Sequence, residues 1–414
     1  MELVVRNLGR IREASVELRP LTVLVGPNHT NKTWLGIAAY TALRETGFPE
    51  EGTSPDLDGE AWAPLARALS ATGHQTIAVD LGKLVTTPSV TWQAHRPQLT
   101  HALGSDPGES TTCELRVDRS SLFLPADAEL TFDPSSRSVT LEAMDAAGPP
   151  VRFTGSVSPD RALRFARWAC RMMMAEGLVS STVPFPVDRV ASLPPGGAPG
   201  IAREHHRMVE GWRAQSPLDA PLERAADRVS SRILGGRVRM TASADRFRYG
   251  DAGIDLPVAA SASLVRSLAS LQLYLTTAAR PGDFVLIDEP EMNAHPRAQL
   301  AIAELLACMV RWGLQVMITT HSPYLVDHLT NLMAAAALPS ERARGLDDQL
   351  QLRTLDALLP ADSVAAYAFE EQDDGSVEVV DIVDREEGVI LNDTFGRETE
   401  RLQDLYAQII KRSR

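Results

Sequence analysis

Cysteine and lysine are both scarce in this sequence of 414 residues. The three cysteines are far apart and form no C-x-x-C pair, which argues against a disulfide framework or a thiolate metal site and fits a reducing cytoplasm. No apolar run has the length needed to span a membrane. The N-terminal residues mix acids with bases and resemble neither a signal peptide nor a transit peptide. We therefore expect a cytoplasmic protein.

Positive charge is also in short supply. Lys and Arg together number 41 against 54 Asp and Glu, and the formal net charge is −13. This balance argues against a protein that binds polyanions over its whole surface, although it is compatible with a local basic patch. A hydrophobic content of 44% is typical of a globular protein. Because single hydrophobic cores stop growing near roughly 250–300 residues, a second domain or a large insertion is expected.

One of only three lysines lies in a segment that resembles a phosphate-binding loop, VLVGPNHTNKTWL at residues 23–35. The phosphate-loop pattern is G-x-x-x-x-G-K-S/T between a strand and a helix. Gly26 opens it and Lys32 and Thr33 close it, but Asn31 replaces the second glycine. Asparagine is among the best-tolerated residues at positive φ, so this replacement is a mild one. The competing interpretation is an asparagine-rich turn that caps an ordinary helix.

A phosphate loop binds its ligand through backbone N–H groups and the N-terminus of the following helix. Lys32 is then expected to reach the β- and γ-phosphates, and Thr33 is expected to bind Mg²⁺. The predicted nucleotide-binding residues of this segment are Gly26, Pro27, Asn28, His29, Thr30, Asn31, Lys32, Thr33 and Trp34.

Two further apolar segments end in polar side chains. FVLIDEP places four apolar residues before Asp288 and Glu289, and QVMITTHSP continues into His321. At a nucleotide site Asp288 would hold Mg²⁺ and Glu289 would polarise the attacking water as general base. His321 would contact the γ-phosphate, so Glu289, His321 and Lys32 are the predicted catalytic residues. Taken singly, solvated acids in a turn or a polar strand end would explain each signal, but their order favours a nucleotide site.

The order of predicted elements indicates an α/β fold in which helices flank a mixed or parallel sheet. We predict a discontinuous ATPase core at residues 1–50 and 236–335. Residues 51–235 form a predicted inserted arm or lid that is β-rich and then helical. Residues 336–414 form a predicted tail of strands and a helix.

Four segments together resemble the ABC-type P-loop ATPases that include the SMC and RecF proteins, and above all their OLD-family branch. They are PLTVLVGPNHTNKT, SASLVRSLASLQLYL, LIDEPEMNAHP and TTHSPYLVDHL. With the framework between them they cover about half of the chain, and they imply ATP and Mg²⁺ as cofactors. OLD nucleases carry a Toprim domain after this core, but residues 341–414 are too few for one, so we expect none there.

The resemblance also implies that two ATP molecules are held between two head-to-tail subunits, each closed by the signature helix of the partner. Here that helix is expected to begin at Ser263, whose hydroxyl and N-terminal amides would contact the γ-phosphate in trans. Relatives usually have glycine after this serine, whereas this sequence has Leu264. The leucine argues against fast hydrolysis, though not against binding. An amphipathic helix with a serine cap would explain the same residues.

Partner binding is less strongly indicated. Helical spacing places four arginines on one face, namely Arg161, Arg164, Arg167 and Arg171. Such a face is either a rail for DNA or RNA phosphates or, more commonly, a solvated surface. Glu204, His205 and His206 are interpreted as surface residues rather than metal ligands, because adjacent histidines point in different directions on a helix. The acidic and helical C-terminal tail is expected to dock a protein partner.

The leading hypothesis is a Mg-ATP-dependent molecular switch in which ATP closes a homodimer and a separate effector protein responds. OLD-like ATPases without their own nuclease resemble the sensor subunits of bacterial antiphage systems, so a role in antiphage defence is implied by this resemblance alone. Two alternatives stay open. One is a DNA-maintenance ATPase of the RecF or SMC sort, which DNA would stimulate with a steep salt dependence. The other is a non-hydrolysing scaffold that uses nucleotide as a structural component.

Overall fold

The computed structural model describes most of the chain as two compact units. The described residues are 1–47, 75–85, 87–133, 135–143, 150–156, 165–166, 169–170, 172–175, 178–187, 200–212, 221–241, 247–251, 253–343, 345–391 and 406. The first unit contains Met1–Glu2, Thr41–Ala94 and Cys113–Ser180, and the second unit contains Leu3–Tyr40, His95–Thr112 and Ser181–Arg414. Arg161, Arg164, Arg167 and Arg171 of the predicted arginine face lie outside the described residues, as does the predicted C-terminal helix apart from Tyr406.

Strands and helices alternate along much of the described chain. The strands are β1 (Glu2–Leu8), β2 (Ile11–Glu17), β3 (Leu21–Val25), β4 (Gln75–Val79), β5 (Ser89–Ala94), β6 (Thr112–Asp118), β7 (Ala128–Asp133), β8 (Ser138–Ala143), β9 (Val151–Ser156), β10 (Thr182–Phe185), β11 (Arg237–Met240), β12 (Phe247–Asp251), β13 (Ile254–Pro257), β14 (Phe284–Asp288), β15 (Gln315–Thr320), β16 (Val364–Glu371), β17 (Val377–Asp381), β18 (Val383–Asp384) and β19 (Val389–Ile390). The helices are α1 (Lys32–Gly47), α2 (Leu81–Leu84), α3 (Arg96–Leu103), α4 (Gly200–Trp212), α5 (Pro221–Leu234), α6 (Ser263–Thr277), α7 (Pro296–Arg311), α8 (Pro323–Ala336) and α9 (Ser340–Ala343).

The first unit is built from antiparallel strands. Four of them form a sheet in the order β4-β7-β8-β9, and β5 pairs with β6. Alternate side chains of β7 and β8 are buried, among them Leu130 opposite Leu141. This period of two is the pattern of strands with one face against a core and the other towards solvent.

The second unit is organised around a mixed sheet, and this confirms the predicted α/β fold. Its strands follow the order β10-β14-β15-β3-β16-β17-β2-β1. The pairs from β10 to β16 are parallel, and β16 pairs antiparallel with β17. Every residue of β3 and β14 is buried, as expected for central parallel strands that are covered on both faces. The carboxyl ends of β3, β14 and β15 therefore meet at one edge of the sheet.

This sheet draws strands from each of the three predicted regions. β10 comes from the predicted insertion, and β16 and β17 come from the predicted tail. β16 pairs directly with β3, so the tail supplies a neighbour to the strand that precedes the predicted phosphate loop. The boundaries of the three predicted regions stay a prediction.

Among the described residues, no helix combines the length and hydropathy needed to cross a membrane.

The interpretation of residues 204–206 as surface is wrong for two of them. Glu204 and His205 are buried on α4, and only His206 is half-buried. Glu204 accepts a hydrogen bond of 2.6 Å from the Tyr40 hydroxyl, and Nδ1 of His205 donates to the Pro184 carbonyl oxygen at 2.7 Å. Pro184 belongs to β10 and Tyr40 to α1, and these hydrogen bonds compensate for the burial of the two side chains. No cluster of three or more metal-ligating side chains occurs in the described part of the chain.

Candidate functional site

The predicted phosphate loop connects β3 to α1 at the edge where the central parallel strands end. α1 begins at Lys32, so the unpaired N–H groups of its first turn follow the loop directly. Pro27, Asn28 and His29 are exposed, Asn31 and Trp34 are half-buried, and Thr30 is buried. The strand, loop and helix therefore have the arrangement that binds phosphate in other proteins.

Gly26 has no room for a side chain. Its φ is 152°, and a Cβ atom built on it would lie 2.8 Å from the carbonyl oxygen of Phe369. Phe369 belongs to β16, the strand that pairs with β3. Glycine at this position thus lets the loop leave β3 in close contact with the neighbouring backbone.

Asn31 adopts the left-handed conformation that glycine has at this position in the standard pattern. Its φ is 65°, within the region that asparagine tolerates best. Its side-chain Oδ1 accepts a hydrogen bond of 2.9 Å from the backbone N–H of Arg10, in the turn between β1 and β2. Arg10 also donates from Nη1 to the carbonyl oxygen of His29 at 3.2 Å. The asparagine therefore keeps the turn geometry and adds a support that glycine could not supply.

His29 is a second feature of the loop that sequence reasoning missed. Its φ is 64°, so two of six loop residues are non-glycine residues in the left-handed region. Histidine, like asparagine, is enriched there relative to other residues with a side chain. The signal was present in the sequence, because both positions carry one of the few residue types that tolerate this conformation.

We expect Asn31→Ala to destabilise the second unit more than Asn31→Gly. Both changes remove the hydrogen bond to Arg10, which is worth about 1 kcal/mol. Alanine additionally keeps a Cβ at positive φ without the local hydrogen bonding of asparagine, at a cost of roughly 1–2 kcal/mol. Urea unfolding followed by tryptophan fluorescence should give the order wild type, glycine variant, alanine variant. An alanine variant as stable as the glycine variant would contradict the conformational part of this explanation.

The Lys32 side chain folds back over the loop. It is only 5% exposed, and its Nζ donates to the Pro27 carbonyl oxygen at 2.6 Å. The Thr30 hydroxyl donates to the same oxygen at 2.8 Å. Burial lowers the pKa of Lys32 to about 8, against the opposing effect of nearby Glu289, Asp288 and Glu291. The Lys32 ammonium is therefore close enough to interact electrostatically with all three acids at and just after the end of β14.

Thr33 and Asp288, the two predicted metal ligands, are in direct contact. The Thr33 hydroxyl donates to Oδ1 of Asp288 at 2.9 Å, although 255 positions separate the two residues in sequence. The Thr319 hydroxyl on β15 donates to the same carboxylate oxygen. Asp288 is buried at the end of β14, whereas Thr33 is exposed. A hydroxyl and a carboxylate are the oxygen ligands that Mg²⁺ prefers, so this pair fits the predicted metal.

Glu289 and His321 form the other pair that the sheet brings together. Nε2 of His321 lies 3.0 Å from Oε1 of Glu289, and both side chains are about 30% exposed. The backbone N–H of Glu289 donates to the carbonyl oxygen of Thr319 at 3.1 Å, which ties the turn after β14 to β15. Glu289 has a φ of 48°, a strained conformation of the kind that clusters at functional sites. The two side chains therefore stand at the accessible edge of the site.

Ser263 is the first residue of α6, as the sequence predicts for the signature helix. Its side chain is exposed, and the residue before the helix is Ala262, which offers no side-chain cap. The Ser263 side chain therefore does not cap this helix, and the signature role of Ser263 stays a prediction. Leu264 is half-buried and packs against the hydrophobic core of the second unit. The exposed N-terminus of α6 and its serine hydroxyl remain accessible.

Comparison with known proteins gives one family match. Residues 222–326 match the model of the AAA ATPase domain, a range that includes α6, β14 and β15 with Ser263, Asp288, Glu289 and His321. No curated protein matches the chain.

Among solved structures, the chain is similar to SMC head domains. The head domain from Thermotoga maritima has a TM-score of 0.36 at 10% sequence identity, over 92% of this chain and 98% of that chain. An SMC head domain bound to the C-terminal domain of ScpA from Pyrococcus furiosus has a TM-score of 0.39 at 10% identity, over 98% of both chains. An SMC head bound to the C-winged helix domain of ScpA has a TM-score of 0.36 at 11% identity, over 92% of this chain and 97% of that chain.

Proposed function

We propose that the protein binds Mg-ATP in the loop at residues 26–33 and hydrolyses it. The observation that carries this proposal is the contact between Thr33 at the start of α1 and Asp288 at the end of β14. Near that contact, the N-terminus of α1, the buried Lys32 side chain and the acids Asp288 and Glu289 lie at one edge of the sheet. Phosphoryl transfer needs this combination, since its catalysis is mostly positioning and electrostatic stabilisation.

Each residue has a distinct role in the proposed site. The loop amides and the Lys32 ammonium hold the β- and γ-phosphates. Mg²⁺ bound by Thr33 and Asp288 would neutralise charge that develops on the phosphate oxygens. The Glu289 carboxylate accepts a proton from the attacking water as general base. His321, whose Nε2 lies 3.0 Å from Oε1 of Glu289, orients that carboxylate and contacts the γ-phosphate in the proposed site.

The catalytic unit is a head-to-tail homodimer that ATP closes. The exposed N-terminus of α6 supports this, because helix N-terminal N–H groups and the Ser263 hydroxyl can bind the γ-phosphate held by a second subunit. Leu264 packs against the hydrophobic core, so part of its side chain is not exposed to the nucleotide that a second subunit would bring to this helix. Dimer closure then acts as a switch for a separate effector protein, and OLD-family sensors of antiphage systems are the model for this role.

The experiment that tests the proposal measures three quantities on the wild-type protein. Calorimetry with Mg-ATP reports binding, light scattering with and without ATP reports dimerisation, and phosphate release reports hydrolysis. Addition of DNA in the last assay distinguishes a DNA-stimulated ATPase from a protein-directed switch. A protein that shows no heat of binding and no change in mass would refute the proposal.

ATP affinity is expected to fall at alkaline pH because of Lys32. Burial lowers the pKa of this residue to about 8, so the free protein loses the ammonium above that pH, while the phosphates need it. Affinity should be constant just below pH 8 and then fall by about tenfold for each pH unit above it, since binding must take up one proton. An affinity that is unchanged between pH 7.5 and about 9.5 would contradict the role of Lys32.

A further inference from the structure

Glu291 is a buried acid beside the proposed site to which the sequence assigns no role. It is 8% exposed, and its Oε1 accepts two hydrogen bonds. One comes from the Thr320 hydroxyl at 2.7 Å and the other from the backbone N–H of His321 at 2.8 Å. Both donors lie at the point where β15 ends, so Glu291 fixes the backbone that carries the His321 side chain.

The backbone around His321 is held by hydrogen bonds of its two neighbours, Thr320 and Ser322. β15 ends at Thr320, and α8 begins at Pro323 with Ser322 as its N-cap, where Oγ of Ser322 accepts from the N–H of Leu325 at 3.0 Å. His321 is thus the one residue between the strand and the cap. The Thr320 hydroxyl also accepts from the N–H of Ser322 at 3.0 Å, so Glu291, Thr320 and Ser322 form one chain of hydrogen bonds around it.

A second buried acid shows how Glu291 differs from a structural carboxylate. Glu304 on α7 is fully buried and uses both oxygens, since Oε1 accepts from His328 and from the N–H of Gln351, and Oε2 accepts from the N–H of Leu352 at 2.7 Å. Oε2 of Glu291 is also buried, yet it accepts no hydrogen bond from the described residues. Glu291 therefore has fewer hydrogen-bond partners than Glu304 within the described part of the chain, and a buried acceptor without a partner costs stability.

We propose that Glu291 is a positioning residue that holds His321 against Glu289. This inference rests on the proposed ATPase function. Oε1 of Glu291 accepts from the backbone N–H of His321, and the imidazole of His321, whose Nε2 lies 3.0 Å from Oε1 of Glu289, in turn orients the Glu289 carboxylate. Loss of the first bond frees the peptide at His321, and the general base loses its fixed orientation. A displacement of about 1 Å at a catalytic group can slow a reaction by roughly 100-fold.

The test compares Glu291→Ala with Glu291→Gln. Glutamine keeps an oxygen that can accept both hydrogen bonds, whereas alanine keeps neither. Hydrogen exchange of the His321 amide, measured without nucleotide, should accelerate by at least about tenfold in the alanine variant and stay close to wild type in the glutamine variant. The alanine variant should lose about 10- to 100-fold in kcat for ATP while its Kd for ATP changes less than about threefold, and glutamine should restore most of kcat.

Two further variants control for instability. Glu304→Ala removes another buried acid that accepts backbone hydrogen bonds, but away from the site, so it should leave kcat unchanged below its unfolding temperature. Thr320→Val removes one donor to Glu291 and should give an intermediate acceleration of exchange, which keeps the test informative if Glu291→Ala does not fold.

The outcomes separate this inference from the proposed function. Equal exchange at His321 in wild type and Glu291→Ala would overturn the positioning role, as would a loss of kcat in Glu304→Ala that matches that of Glu291→Ala. A wild-type protein that neither binds nor hydrolyses ATP would instead refute the proposed function. In that case the exchange measurement still decides whether Glu291 holds His321.

Discussion

Replacement of Lys32 by alanine is expected to abolish ATP binding. The Lys32 ammonium lies over the loop, where its Nζ is 2.6 Å from the Pro27 carbonyl oxygen. Hydrogen bonds from an ionised donor to phosphate are about twice as strong as neutral ones, and no other side chain of the loop can replace them. We expect the affinity for Mg-ATP to fall by at least about 100-fold, to the limit of calorimetric detection.

A matched control is available because the chain has so few lysines. Lys83 is largely exposed and pairs with Asp80 at 3.2 Å, so Lys83→Ala should bind ATP as wild type does. Surface ion pairs of this kind contribute little to stability, and the control should also unfold at the wild-type temperature. Binding by Lys32→Ala within about threefold of wild type would mean that the loop does not hold the triphosphate.

The sequence predicted the convergence of the site but not the contacts that support it. Lys32, Thr33, Asp288, Glu289 and His321 all follow apolar strands, and the carboxyl ends of neighbouring parallel strands must meet at one edge. Local patterns therefore sufficed for the central strands β3, β14 and β15 and for the residues at their carboxyl ends. The roles assigned to these residues remain predictions until nucleotide binding is measured.

The supporting contacts depend on residues that are far apart in sequence. Gly26 needs to be glycine because of the carbonyl of Phe369, which approaches only when β16 pairs with β3. Nothing in the local pattern shows that pairing. The burial of Glu204 likewise depends on Tyr40, which donates to it from a helix 164 positions earlier. Periodicity identifies the apolar face of a helix or strand. It does not show which polar side chains are buried there or which residues they bond to.

Glu291 illustrates the same limit within a motif. In the segment DEPEMNAHP, the sequence analysis assigned roles to Asp288 and Glu289 because they end a strand, and it left Glu291 out. The position of Glu291 becomes informative only when the N–H of His321, 30 residues later, is seen to donate to it. The role of a residue in this site therefore depends on its contacts with the end of the neighbouring strand as much as on the motif to which it belongs.

Replacement of Glu289 by glutamine is expected to stop hydrolysis while ATP binding and dimerisation persist. Glutamine has the shape of glutamate and can keep the contact with Nε2 of His321, but it cannot take a proton from the attacking water. The loop, Lys32 and the contact between Thr33 and Asp288 are untouched by the change. Phosphate release should fall by on the order of 10²-fold or more, which corresponds to a few kcal/mol of transition-state stabilisation.

The binding measurements decide how that loss is interpreted. If Glu289 acts only in the chemical step, Glu289→Gln should keep the wild-type Kd for Mg-ATP and should accumulate as an ATP-bound dimer in light scattering, because hydrolysis no longer resets it. A variant that loses binding as well would place Glu289 in ground-state recognition. Equal turnover in wild type and Glu289→Gln would remove the enzymatic assignment and leave a protein in which nucleotide has a structural role. The ATP-bound dimer, once trapped, is also the form in which an effector protein should bind most tightly, because a ligand-driven switch favours its partner in one state only.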